Sequence, residues 1–213
     1  MAITGYKSTE GGAGTGNTIT LTNGLGDLLV AVCGEETSSG TITGITDTTA
    51  ANVWVALAGQ TNVAHYSRVF YCLNNTSGSS HTLTFNVSGT HSNFAQMGVI
   101  DAPGYNTLDQ SAQVVQTSTT GPNAVTTVAA EIVIGLQGDS NGAFSPNTGW
   151  TAAVSDTVPT NTTTRLGIIY QIQSSKGTYT PTWTANNLSG FTTLSFYLGN
   201  TFVPMAGAFG VGI

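Results

Sequence analysis

Formal charge is the scarcest thing in this 213-residue chain. Four residues are Lys or Arg and ten are Asp or Glu, so charged side chains make up 7% of the sequence. A typical globular protein has about 25%. The cations are Lys7, Arg68, Arg165 and Lys176, too few to build the basic patch that a phosphate backbone requires. Nucleic-acid binding is therefore not expected. An anionic membrane surface is disfavoured for the same reason. There are two cysteines, Cys33 and Cys72, with no CxxC pair and no histidine at ligand spacing, so a zinc site is not expected. No apolar run approaches the ~20 residues a membrane helix needs. No segment keeps a 3.6-residue apolar period, so helix should be scarce.

Small polar residues fill the positions that charge leaves vacant. About one residue in six is threonine, whose branched β-carbon favours strands while its hydroxyl keeps an outer face wet. Short apolar runs separated by Gly, Asn and Ser turns read as strands at residues 18–22, 28–33, 53–57, 68–73, 82–87 and 94–100. They continue at 112–117, 124–128, 132–136, 166–172, 178–183 and 192–198. A chain of this length can bury roughly 70% of its unfolded surface, so a sizeable core is available.

The pattern repeats internally. GDLLVAVCG (26–34) matches AEIVIGLQG (130–138), and VFYCL (69–73) matches IIYQI (168–172) with Tyr71 over Tyr170. TLTF (82–85) matches TPTW (180–183), and Phe94 aligns with Phe191. These matches predict an all-β, antiparallel, jelly-roll-like β-sandwich, internally duplicated, with little or no helix. Residues 1–16 are expected to be a flexible arm, 17–102 the first sandwich repeat, 103–200 the second, and 201–213 an apolar tail. Cys33 and Cys72 align with Gln137 and Gln171, which suggests neighbouring positions on adjacent strands. The cysteines are then either one disulfide or two buried thiols.

Candidate chemistry is thin. Glycoside hydrolysis needs two facing carboxylates. The acids are Glu10, Asp27, Glu35, Glu36, Asp47, Asp101, Asp109, Glu131, Asp139 and Asp156. Asp27 and Glu131 are repeat equivalents at strand starts, which favours a structural role. No GxSxG elbow is present. His65, His81 and His91 are isolated, although His81 and His91 flank a hairpin-like segment across which they could meet. The glycines of residues 11–16 lack a P-loop lysine. Asp47, Asp101, Asp109 and Asp139 are loop carboxylates of the kind that hold calcium in sandwiches, but no DxDxD loop accompanies them. No catalytic residue, metal or cofactor is expected. Aromatics available for stacking on a sugar are Trp54, Trp150, Trp183, Tyr66, Tyr105 and Tyr179. Trp183 aligns with Phe85 and should be core, whereas alternation sets Trp54 opposite Val53 and Val55. Candidate contacts for a ligand or partner are Trp150, Tyr105 and, in the tail, Phe202, Met205 and Phe209.

The segments GDLLVAV (26–32), ITDTTAANVW (45–54) and Phe70-Tyr71 resemble a β-rich module of tailed-phage structural proteins and bacterial surface proteins. The resemblance spans roughly residues 17–200. It implies a β-sandwich without enzymatic residues, similar in size and style to head decoration (cement) proteins and fibre domains. The expected function is a virion structural protein that decorates a capsid. Its partners would be further copies of itself and the major capsid or another virion protein. It would assemble in the host cytoplasm and leave by lysis, since residues 1–16 contain no apolar export signal. The alternative is an extracellular carbohydrate-binding or receptor-binding module.

Overall fold

The computed structural model describes residues 2–8, 18–37, 41–62, 65–77, 79–88, 91–138, 145–154 and 166–199. Side chains at 35–37, 62, 65, 91–95, 116–119 and 184–189 lie outside that description. Among the described residues there is no helix. The strands are β1 (Thr4–Lys7), β2 (Thr18–Leu21), β3 (Leu28–Thr37), β4 (Thr41–Asp47), β5 (Val55–Ala56), β6 (Gln60–Asn62), β7 (His65–Cys72) and β8 (His81–Ser88). They continue with β9 (His91–Ala102), β10 (Tyr105–Thr120), β11 (Ala124–Val125), β12 (Glu131–Gly138), β13 (Thr151–Val154), β14 (Leu166–Gln173), β15 (Thr178–Tyr179) and β16 (Thr182–Leu198).

All pairings are antiparallel. The first main sheet runs β1-β9-β3-β7-β5, with β6 also on β7. The second main sheet runs β10-β16-β12-β14-β13. The two orders correspond strand for strand. Register strengthens the match: Val30 pairs with Tyr71, and its repeat equivalent Ile134 pairs with Tyr170. One alignment shifts, however. Cys33 pairs with Met97, and Gln137 pairs with Phe191, so Met97 rather than Phe94 is the counterpart of Phe191.

The main sheets pack face to face. Leu28, Val30, Val32, Val69, Tyr71 and Ile100 of the first meet Ile132, Ile134, Leu136, Ile168, Leu194 and Phe196 of the second. Each outer face carries a smaller sheet: β2-β8-β4 covers the first main sheet, and β11-β15 covers the second. The central main-sheet strands, β3 and β12 above all, are therefore buried on both faces, which is why they read as unbroken apolar runs. β12 is buried at every position. β8 instead alternates, with His81, Leu83 and Phe85 inward and Thr82 and Thr84 half-buried between them. Close approach dictates glycine at two facing positions. A β-carbon on Gly135 would lie 2.5 Å from Pro181 Cβ, and one on Gly138 would lie 2.4 Å from Ser67 Cβ.

Three expectations need correction. Residues 4–7 of the supposed arm form β1, paired with β9 from Thr4–Asp101 to Lys7–Gly98. Cys33 and Cys72 lie on adjacent strands but are not cross-strand neighbours. Cys33 faces Arg68 and Cys72 faces Leu29. Four residues of strand separate them, roughly 13 Å, far beyond disulfide reach. Both are buried thiols outside any disulfide. Finally, His81 and His91 begin β8 and β9, which run in opposite directions either side of one connection, so their backbones lie at opposite ends of the fold.

Candidate functional site

Several features gather at the end where β3 and β12 begin, here the lower end. Because β9 closes at Ala102 and β10 opens at Tyr105, a two-residue turn at Pro103-Gly104 holds both halves at this end. The strand starts are built alike. Gly26 (φ 84°) and Ala130 (φ 63°) occupy the same repeat position, both left-handed. The acid that follows each one braces the turn from below. Asp27 Oδ2 accepts from the Gly24 amide at 2.7 Å, and Glu131 Oε1 accepts from the Val128 amide at 2.9 Å.

Each acid has a carboxylic neighbour. Asp27 and Asp101 are both buried, at 2% and 4% exposure, and Asp101 Oδ1 has no hydrogen-bond partner. Burial, reinforced by the Asp27 carboxylate, pushes the Asp101 carboxyl up to about 7. Tyr6, whose hydroxyl donates to the Thr22 carbonyl at 2.6 Å, is raised by burial and by these two acids. In the second half Asp109 accepts from the Thr127 amide at 2.7 Å and the Thr127 hydroxyl at 2.5 Å. Partial burial opposes ionisation of Asp109, but these bonds outweigh it and hold its carboxyl below the usual range. Glu131 is raised, mainly by its burial.

A second polar cluster ties four segments together. Asp47 Oδ1 lies 2.8 Å from His81 Nδ1 and accepts from the Thr49 amide. Asp47 Oδ2 accepts from Asn52 Nδ2 at 2.8 Å and Trp54 Nε1 at 3.0 Å. Burial would raise Asp47, but these donors together hold it below the usual carboxylate range. His81 Nε2 meets the Asn23 side-chain oxygen at 3.0 Å, and Asn75 bridges to Asn52, Gly24 and Ser77. This arrangement contains the His–Asp part of a nucleophile relay, but the far ring nitrogen faces an amide oxygen where a hydroxyl would have to sit. The Asp27–Asp101 pair likewise has no cleft between its carboxyls for a sugar, since both groups are buried.

Apolar surface collects in the same region. Among the described residues the exposed large hydrophobics are Leu25, Val53, Val55, Val115, Val125, Ile172 and Leu198, and all but Val115 lie in the lower half. Two open cavities adjoin them. One, of about 310 Å³, is lined by Val53, Val55, Cys72 and Leu73. Burial raises the Cys72 thiol there. The other, of about 530 Å³, is lined by Thr107, Ala129, Ala130, Tyr197 and Leu198.

The residues singled out in the sequence are dispersed. Tyr105 is buried at 9% exposure in the central core, and burial raises its hydroxyl. Trp150 is half-buried against Ile169, Trp183 and Phe191. Phe202, Met205 and Phe209 lie outside the described residues, as do Glu10, Asp139 and Asp156 and the side chains of Glu35, Glu36, His65 and His91. Trp183 is core at 1% exposure, like its counterpart Phe85. Trp54 packs inward while Val53 and Val55 are exposed, as alternation required. Asp47, Asp101 and Asp109 do not converge, and no group of three potential metal ligands exists among the described residues. The exposed aliphatics went unnoticed in the sequence because isolated Val and Leu residues next to turns resemble strand ends. Comparison with protein-family models, curated proteins and solved structures finds no match.

Proposed function

We propose that this chain is a non-enzymatic structural protein of a virus particle, a phage capsid decoration protein that grips the assembled shell through its lower end. One contrast carries the proposal. Trp183, Phe70, Phe85, Phe191 and Phe196 are fully buried and Trp54 and Trp150 half-buried, while the exposed large hydrophobics among the described residues are aliphatic, and Val53, Val55 and Leu198 line the two lower cavities. A sugar-binding module presents flat aromatic faces; a protein-docking surface presents aliphatic patches around pockets. Low charge supports the same reading, since charged residues are depleted where partners bury each other's surface. The mechanism is linkage: a protein that binds only the assembled shell stabilises it in proportion to occupancy.

The test is co-sedimentation with emptied phage capsids, using the wild-type chain and the Val53→Glu and Leu198→Glu variants. Pelleting with shells that weakens at least tenfold in both variants supports decoration. A chain that ignores capsids but is retained by a polysaccharide overturns it in favour of the carbohydrate module.

A further inference from the structure

The four lateral edges of the two main sheets are unequal. β1, β5 and β13 are four, two and four residues long, whereas β10 has sixteen. β10 pairs with β16 along nearly its whole length, and no described strand of the main sheet lies on its other side. Natural edges are protected by brevity, proline, lysine or inward charge. β10 has no Pro, Lys or Arg, and Asp109 is its only charged residue, with both carboxylate oxygens turned to Thr127. Val115, 41% exposed, stands near the middle. β10 departs from regular register only toward its ends, between Tyr105 and Thr107, Leu108 and Gln110, and Ser118 and Thr120, and the run from Gln110 to Ser118 is regular and holds no charged residue.

We propose that β10 is a self-association edge, on which a second copy of this chain adds its own β10 antiparallel about a two-fold axis. Three observations select a second copy. Two-fold pairing of the regular run about its middle residue, Val114, sets no charged residue against another in spite of a chain charge of −6. The regular run from Gln110 to Ser118 spans roughly 30 Å, longer than the usual strand, so a full ladder can form along it. The competing occupant within the chain is the segment 201–213, but its Pro204, Gly207, Gly210 and Gly212 are poor strand residues. The pairing joins two second main sheets into one continuous ten-stranded sheet and leaves both lower ends free.

The experiment is light scattering of the purified chain across a concentration series, with Val115→Pro, Val115→Lys and a chain ending at Asn200. Circular dichroism checks that each remains folded. Expected results are a wild-type dimer, an unchanged dimer for the shortened chain, and a dissociation constant at least tenfold higher for both Val115 variants. Val115→Lys decides alone if the proline variant unfolds. A wild-type monomer at every concentration, a dimer insensitive to Val115→Lys, or a dimer lost only on shortening would each overturn the proposal. The last result would assign the contact to the tail.

Discussion

The two halves share a sheet order but differ in how they are covered. Over the first main sheet lie three strands and a twelve-residue buried cluster that includes Ile19, Leu21, Ile42, Leu83 and Phe85. Over the second, among the described residues, lie two short strands, and the buried cluster there holds Ile169, Trp183 and Phe191, with Val114 and Trp150 at its margin. The reason is local. In the first half Ile45 pairs with Phe85 within β4–β8. At the matching place in the second half a lone bridge joins Pro146 to Trp183. Proline has no amide hydrogen to extend a ladder, so among the described residues the third outer strand is reduced to this bridge and the bond from the Asn147 amide to the Thr182 carbonyl. Trp183, stacked against Phe191 at 5.2 Å between ring centres, substitutes bulk for the missing strand.

That difference is sharpest in the response to truncation. Trp183→Ala should cost about 4 kcal/mol in urea unfolding, because a cover with three buried members has nothing to collapse into the cavity. Phe85→Ala should cost about 3 kcal/mol, since its larger cluster can partly relax. Equal losses would break the contrast between thick and thin covers.

The acids divide the halves in another way. The Asp101 carboxyl titrates near 7 in the folded chain, against about 3.9 unfolded. Its contribution is therefore complete below about pH 4 and is lost as pH rises to about 7, because the folded state holds the proton more tightly. At ~1.4 kcal/mol per unit the total is up to about 4 kcal/mol, and Asp101→Asn should flatten this slope. Asp109 is shifted the opposite way, so its contribution is present at neutral pH and lost as pH falls below the usual carboxylate range. Urea midpoints measured from pH 3 to 8 separate the two, and an unchanged slope in Asp101→Asn would refute the raised titration of Asp101.

Among the described residues Asp47 has no equivalent cluster in the second half. Asp47→Ala should cost about 2–3 kcal/mol by leaving its part-buried donors from Asn52, Trp54 and His81 without an acceptor. Thermal melting checks this. The smallest effect tests the repeat itself. Ala130→Gly should stabilise by about 1 kcal/mol and Gly26→Ala should destabilise by a similar amount, because only glycine adopts the left-handed turn without strain. Melting temperatures moving in opposite directions would confirm that both turns are one device.

Much of this was legible before any coordinates. The apolar runs at 28–33, 132–136 and 166–172 became central strands because burial on both faces leaves a continuous hydrophobic signature. β1, β4, β6 and β13 were not read. They lie at sheet edges or in the outer layer, where threonine, glycine and asparagine suffice and no periodicity stands out. The proximity of Asp27 to Asp101 was equally invisible, since 74 residues of chain separate two acids that cross-strand register brings together.

The sequence by itself determined the all-β class, the duplication and the identity of the central strands, because alternation, turn residues and repeated motifs act within a few residues of one another. Only the tertiary structure decided which faces met. It placed the two thiols out of reach, paired the buried carboxyls, sank Tyr105 into the core and, among the described residues, set the sixteen-residue β10 at the end of its sheet. Register and sheet stacking fix those outcomes, and both depend on contacts between residues far apart in the chain, which no local pattern encodes.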